Sequence, residues 1–452
     1  ETPLPVADRP PTRVDSDVYR RQVAAAFHGL EHEWGEEIGI AAELDAIKAI
    51  GDGFLTQGHY ANALSVYDAI LDELLEQYEE YEDEGGELAG VVVACVEALG
   101  SCLAGERDAT AREAILHHLF SVYRTDVGLG GVGLSDAVPD LILSHATADE
   151  RRLVAGWARQ ALPPGGSWSA DFARQAYGGF LLALEGDALD DAAYLRICRE
   201  TGRLHDLVER LLVLGRVEDA LDEAGRAADF PLLDLADLLT RRGEGDAAER
   251  LVRERATTSQ DRRLLVWLKE RYRARNDLAA ALEMTLELFR SMPDLAQYRD
   301  IRALAQDLDR WESLRPQLLA QLRDSRHTNL LIDVYLEDDE VDRALELLSA
   351  APSTAAGSPV HQYAGAIELK VAAAAEGPHP SAAREIYQRS AERLIDARGR
   401  ENYQAASRLL AKVRDLSARL GEQEGWAHYL RELRGQYRAL PALKDELARA
   451  GL

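Results

Sequence analysis

His28, Glu31 and His32 stand in the order HxxEH, in which two imidazoles a helical turn apart can hold a zinc ion while the carboxylate activates a bound water. That chemistry needs a firm helix and a third ligand. Gly29 lies inside the pattern and Trp34-Gly35 follows it at once, so a metal-dependent hydrolase using these residues is the remotest of three functional readings. Gly128, Gly130, Gly131 and Gly133 spell GLGGVG, superficially a phosphate loop, but no strand precedes it and no Lys-Ser/Thr follows. It reads as a flexible loop between helices. His117-His118 can present only one ring to any given site, and no Ser, His and acid arrangement rises above chance. The expectation is therefore a protein with no catalytic residue, no bound metal and no cofactor.

What remains with chemical consequence is acidity. The 452-residue chain has 79 Asp and Glu against 52 Lys and Arg, a net charge of −27. Residues 31 to 100 hold eighteen acids against Lys48 alone, about −17, whereas residues 381 to 452 hold fourteen bases against ten acids. The densest run, DELLEQYEEYEDEGGE over 72–87, contains nine carboxylates and no base. Glu79, Glu80, Glu82 and Asp83 are its candidate partner-binding residues, beside Tyr78 and Tyr81, which are expected to be exposed. A patch of one sign speeds encounter with a basic partner, or with the basic C-terminal end of a second copy. It also repels phosphate, so this region is not expected to bind nucleic acid directly. The competing reading of the run is a solvated helix end.

The elements that would position these residues are short helices. Between 201 and 260 the chain is punctuated near Gly202, Gly215, Asp229, Gly243 and Thr258, an interval of one short helix plus a turn, so adjacent helices must pair into hairpins that stack. A local grammar recurs: turn residue, any residue, apolar residue, two more, then a small residue. It appears as Gly58-His59-Tyr60 with Ala63, Gly215-Arg216-Val217 with Ala220, Asn276-Asp277-Leu278 with Ala281, Asp339-Glu340-Val341 with Ala344, and Glu401-Asn402-Tyr403 with Ala406. Ala is expected where two helices approach too closely for a larger side chain. This pattern resembles the tetratricopeptide repeat, most closely over Ile47–Ile70, with Gly51, Phe54, Gly58, Tyr60, Ala63 and Tyr67 at the expected spacing. Period-two strand signals are nearly absent. The predicted fold is all-α, an irregular tetratricopeptide-like helical-hairpin solenoid.

Punctuation sets the organisation. Residues 1–13, with four prolines, are an extended lead-in; 14–162 form an acidic N-terminal helical lobe; Pro163-Pro164-Gly165-Gly166 opens a linker over 163–169; and 170–452 continue as helical repeats. Thr147-Ala148-Asp149-Glu150 is a capping box that starts a helix. Cys95, Cys102 and Cys198 lie on apolar helical faces without CxxC spacing and are expected to be free core thiols. The six tryptophans are spread as packing residues between hairpins. No stretch is read as reaching the ~18 to 20 apolar residues of a membrane span, and the opening Glu1-Thr2-Pro3-Leu4-Pro5 has no signal core. A cytoplasmic location, away from membranes, is expected.

Three stretches together resemble the long helical region that follows the zinc finger in prokaryotic SWIM zinc finger proteins: GHYANALSVYDAILDELLEQYEEYEDEGGELAGVVVACVEALGSCL over 58–103, GLGGVGLSDAVPDLILSHATADERRLVAGWARQAL over 128–162, and NYQAASRLLAKVRDLSARLGEQEGWAHYLRELRGQYRALPALKDEL over 402–447. The family's CxC…CxH finger is absent from these residues. It lies N-terminal to Glu1 or has been lost. The resemblance implies a protein-interaction module whose partners include a MoxR-type ATPase or a von Willebrand A protein, and hence a non-enzymatic scaffold or adaptor. The alternative is a nucleic-acid-associated regulator whose finger lies outside this chain.

Overall fold

The computed structural model describes residues 15–28, 36–81, 83–350 and 360–452. Among the described residues are twenty-four α-helices, one short 3-10 turn and no strand, so the all-α helical-hairpin class expected from the sequence is the one observed. The chain divides between Ala248 and Glu249 into two compact units. The first begins with α1 (Ser16–His28), α2 (Glu36–Thr56), α3 (Tyr60–Gln77), α4 (Glu87–Gly105), α5 (Ala109–Gly128), α6 (Val138–His145), α7 (Ala148–Ala161) and α8 (Trp168–Glu185). One cluster of buried side chains runs from Tyr19 to Ile197 through all eight. The Pro-Pro-Gly-Gly stretch is a non-helical connection between α7 and α8, and it lies inside this unit.

The hairpin turns share one backbone device. A residue in the left-handed region ends a helix, and the next residue both closes that helix and begins the following one. Thus Gly58 has φ 74° and His59 N–H donates back to Phe54 at 2.9 Å; Gly215 has φ 71° and Arg216 N–H reaches Leu211 at 2.9 Å; Asn276 has φ 58° and Asp277 N–H reaches Tyr272 at 2.9 Å. This six-residue closure satisfies a carbonyl that the helix end would otherwise leave unpaired. The same step recurs at Asp309, Arg326 and Asp339, where a side chain occupies the conformation that glycine adopts freely. Glu401 departs from the expected grammar. The turn there is made by Arg398 (φ 59°) and Gly399 (φ 95°), and Glu401 already lies within the helix Arg400–Arg419.

Ala63, Ala220, Ala281, Ala344 and Ala406 are all fully buried, as the grammar demands. With no room around its methyl group, Ala220→Leu should force neighbouring side chains off their rotamers and cost about 1–3 kcal/mol. Chemical denaturation of the first unit's helices checks this. An unchanged midpoint would mean the Ala220 site can expand freely.

α4 corrects one sequence expectation. It is long and apolar enough to cross a membrane by length and composition. Its surroundings supply the reason: α4 packs against α2, α3, α5 and α6, and ten of its residues, Leu88 to Leu103, are buried. A helix covered on several sides is apolar nearly all round.

In the second unit, successive helices from Arg262–Ala274 to Val341–Ala350 pack as hairpins, followed by longer pairs ending at Pro441–Arg449. Tyrosine hydroxyls bonded to carboxylates fasten neighbours together. Asp338, with its side chain 9% exposed, accepts from Tyr298 at 2.7 Å and lies between Arg302 at 3.1 Å and Arg315 at 2.8 Å. Tyr429 donates to Glu392 and Tyr437 to Asp396, each at 2.8 Å. Burial and the adjoining Asp396 push the Tyr437 hydroxyl up to about 12.

Candidate functional site

A groove of about 630 Å³ in the first unit is bounded by α1, α3 and α5. Tyr60, Leu64 and Ala114 give it apolar wall, and its charged lining includes Asp68, Glu106 and Asp108. Asp108 is committed locally: its carboxylate caps α5 by accepting from Ala111 N–H at 2.9 Å. Asp68 is set by three helices. Arg20 on α1 reaches Asp68 Oδ2 at 3.3 Å and Asp72 Oδ2 at 3.0 Å, while His118 Nδ1 on α5 lies 2.9 Å from Asp68 Oδ1. Burial acts to raise the Asp68 carboxyl, but His118 and Arg20 outweigh it and hold it below the usual carboxylate range. Asp72 moves the other way, raised by burial and then by the charge of Asp68.

From the groove an acidic stripe continues along α3. Asp68, Asp72 and Glu76 are four residues apart, and the stripe passes into Glu79 and Glu80 of the 3-10 turn Tyr78–Glu80. Asp72, Glu76, Glu79 and Glu80 are exposed. The structure separates the other members of the predicted run. Asp83 turns inward, accepting from Leu88 N–H at 3.1 Å and Ala89 N–H at 2.8 Å, and so satisfies the start of α4; Tyr78 OH donates to it at 3.3 Å. Glu82 lies outside the described residues. Tyr78 and Tyr81 are half-buried rather than exposed, because both pack on the first unit's core and Tyr81 lies against Phe27.

The other sequence candidates resolve differently. Glu31 and His32 lie outside the described residues, as does the His28 side chain at the end of α1. The GLGGVG loop does gather backbone amides around an anion, and that anion is internal. Asp126 Oδ1 accepts from Val132 N–H at 2.8 Å and Gly133 N–H at 3.1 Å; Oδ2 accepts from Ser135 N–H at 3.1 Å and Ser135 OH at 2.7 Å. The expected flexible loop is thus tied down by a buried carboxylate. His117 and His118 diverge: His117 meets the Trp157 ring edge-on, and only His118 faces the groove. All three cysteines are free and buried, with burial pushing the Cys95 and Cys102 thiols up to about 12. Trp168 breaks the packing expectation, being 79% exposed and stacked on Phe172.

His118 is the groove residue that sequence reasoning passed over. Its partner Asp68 is fifty residues away, and no local pattern joins them.

Neither a family model nor a curated protein matches the chain. The solved structures that match it along most of its length include two repeat proteins. One is a circular tandem repeat protein with novel repeat topology and enhanced subunit contact surfaces, 15% identical, covering 97% of this chain and 98% of that one, with a TM-score of 0.24. The other is the TPR domain of P58(IPK), 14% identical, covering 90% and 97%, with a TM-score of 0.19. Likeness this slight says nothing about a site, and the fold assignment rests on the helices themselves.

Proposed function

We propose that this chain is a non-enzymatic protein-interaction module, and that its first unit docks a basic segment of a partner protein along the α3 stripe and the adjoining groove. The observation that supports this reading is the exposed series Asp72, Glu76, Glu79 and Glu80 leading into a concavity whose wall is also acidic. Among the described residues, Glu76, Glu79 and Glu80 have no hydrogen bond or ion pair, so their charge is available to a partner. A non-enzymatic scaffold or adaptor of the SWIM zinc finger type, working in the cytoplasm, is the finer form of this proposal. It makes a MoxR-type ATPase and a von Willebrand A protein the first partners to test.

The decisive variant carries Glu76→Lys, Glu79→Lys and Glu80→Lys. Asp83 is left intact, because reversing it would uncap α4. Association of either purified partner with the triple variant should be at least about tenfold slower at low salt, since long-range charge governs encounter more than residence. The difference should shrink as ionic strength approaches 0.15 M and beyond, where the screening length falls to about 8 Å. Equal association rates at every salt concentration would return the run to a solvated helix end.

A further inference from the structure

Asp68 and Asp72 lie one turn apart on α3, and His118 reaches them from α5, so three ligating side chains converge from two helices. One carboxylate oxygen from each aspartate and one imidazole nitrogen lie within 4.8 Å of one another. Arg20 occupies Oδ2 of both aspartates and leaves Oδ1 of each for another use. Among the described residues, His118 Nδ1, 2.9 Å away, is the polar neighbour of the buried Asp68 Oδ1. Neighbouring ligands of one ion are placed this way, since bonds of about 2.0–2.1 Å put adjacent donor atoms about 3 Å apart.

We propose that Asp68, Asp72 and His118 form a binding site for a divalent transition-metal ion of the zinc class, with its remaining position open to the groove. The donor set argues for that class. An imidazole beside two carboxylates suits zinc and its neighbours, whereas calcium and magnesium favour oxygen alone. Arg20 serves as the outer partner that orients both carboxylates, the role that hydrogen-bonded second groups play around metal ligands. It also reduces the charge of the site from −2 to −1, which favours one divalent ion and disfavours a second. This site is separate from the HxxEH pattern at 28–32, and the inference does not depend on the docking reading.

The test uses the full chain, stripped with chelator and titrated with zinc chloride alone by calorimetry. One ion per chain is expected. His118→Ala and Asp68→Asn should each weaken zinc by more than about 100-fold, beyond the 10–100-fold that loss of an outer partner costs. His28→Ala should leave the affinity unchanged. Helical content and melting of the metal-free variants establish that they fold, and Asp72→Asn, at an exposed position, supplies a variant whose folding is not in question; it should bind at least about tenfold more weakly. Absence of zinc binding up to millimolar concentration overturns the site, as does binding abolished by His28→Ala but not by His118→Ala. Calcium bound as tightly as zinc overturns the assignment of metal class.

Discussion

Arg112→Ala should destabilise the first unit by about 3–5 kcal/mol, because it leaves the part-buried Glu150 unpaired and takes the donor from three helix-end carbonyls. Arg112, 9% exposed, holds Glu150 through two parallel bonds, Nε to Oε1 at 2.7 Å and Nη2 to Oε2 at 3.0 Å. The same guanidinium donates to the carbonyls of Leu103, Glu106 and His145, the last two at 3.1 and 2.8 Å. Those carbonyls close the C-terminal ends of α4 and α6, where helices leave acceptors unpaired. Glu150 meanwhile completes the capping box that starts α7, accepting from Thr147 N–H at 2.7 Å. One side chain therefore ties together the ends of α4, α6 and α7 from its seat on α5. Lysine offers a point charge instead of a planar fork, so Arg112→Lys should lose more than half as much stability as the alanine variant.

The same pair carries a pH signature. The Arg112 guanidinium, against the opposing effect of burial, holds the Glu150 carboxyl down to about 2. A carboxyl whose folded value lies below its unfolded one contributes fully above the unfolded value of about 4.3 and loses that contribution as pH falls toward 2. At ~1.4 kcal/mol per pKa unit the bonds that Glu150 makes with Arg112 and Thr147 together supply about 3 kcal/mol of acid-sensitive stability, most of it from Arg112. The stability gap between wild type and Arg112→Ala should thus be full at pH 6 and narrow steadily from pH 5 to pH 2. Hydrogen exchange of the α5 and α7 amides reads it out locally. A gap that stays constant with pH would show that the carbonyl contacts, not Glu150, carry the effect.

What the sequence makes legible is local geometry. Ala63 and Ala220, Gly58 and Gly215, and the Thr147–Glu150 box each announce themselves within a few residues, because the constraint that selects them is itself within a few residues. Arg326 defeats the same reading: its backbone takes a glycine conformation (φ 57°) without glycine, so the turn before Thr328 leaves no mark. Charge runs are equally opaque. Asp83 and Glu80 look alike in the sequence, and only the position of α4's first amides turns one into a cap and leaves the other on the surface. His118 with Asp68 and Arg112 with Glu150 are pairings across fifty and thirty-eight residues that only the stacking of helices creates. α4 is not read as membrane-length from the sequence, and its composition is one that an apolar helix at the centre of a bundle and one in a bilayer share.

The glycine loop supplies the second large effect. Asp126→Asn, nearly identical in shape, should cost about 2–4 kcal/mol. The four donors around Asp126 need two accepting oxygens, and asparagine has one. Either orientation of the amide sets its NH2 against backbone N–H donors, those of Val132 and Gly133 or that of Ser135, and a buried donor without an acceptor costs about 1–3 kcal/mol. The loss of charge-assisted bonding adds to this. Relaxation is limited because Gly130, Gly131 and Gly133 hold φ of 89°, 80° and 93°, and Gly131 packs so closely on Phe172 that a methyl group there would approach its ring to 2.8 Å. Ser135→Ala removes one hydroxyl and leaves the carboxylate in place, so it should cost only about 1 kcal/mol. Exchange of the Val132, Gly133 and Ser135 amides should accelerate in Asp126→Asn well beyond its change in Ser135→Ala. Adding inorganic phosphate to the wild type should not slow that exchange, because these amides already face an anion. Protection by phosphate would mean that the carboxylate yields its place, and that the loop is a phosphate site after all.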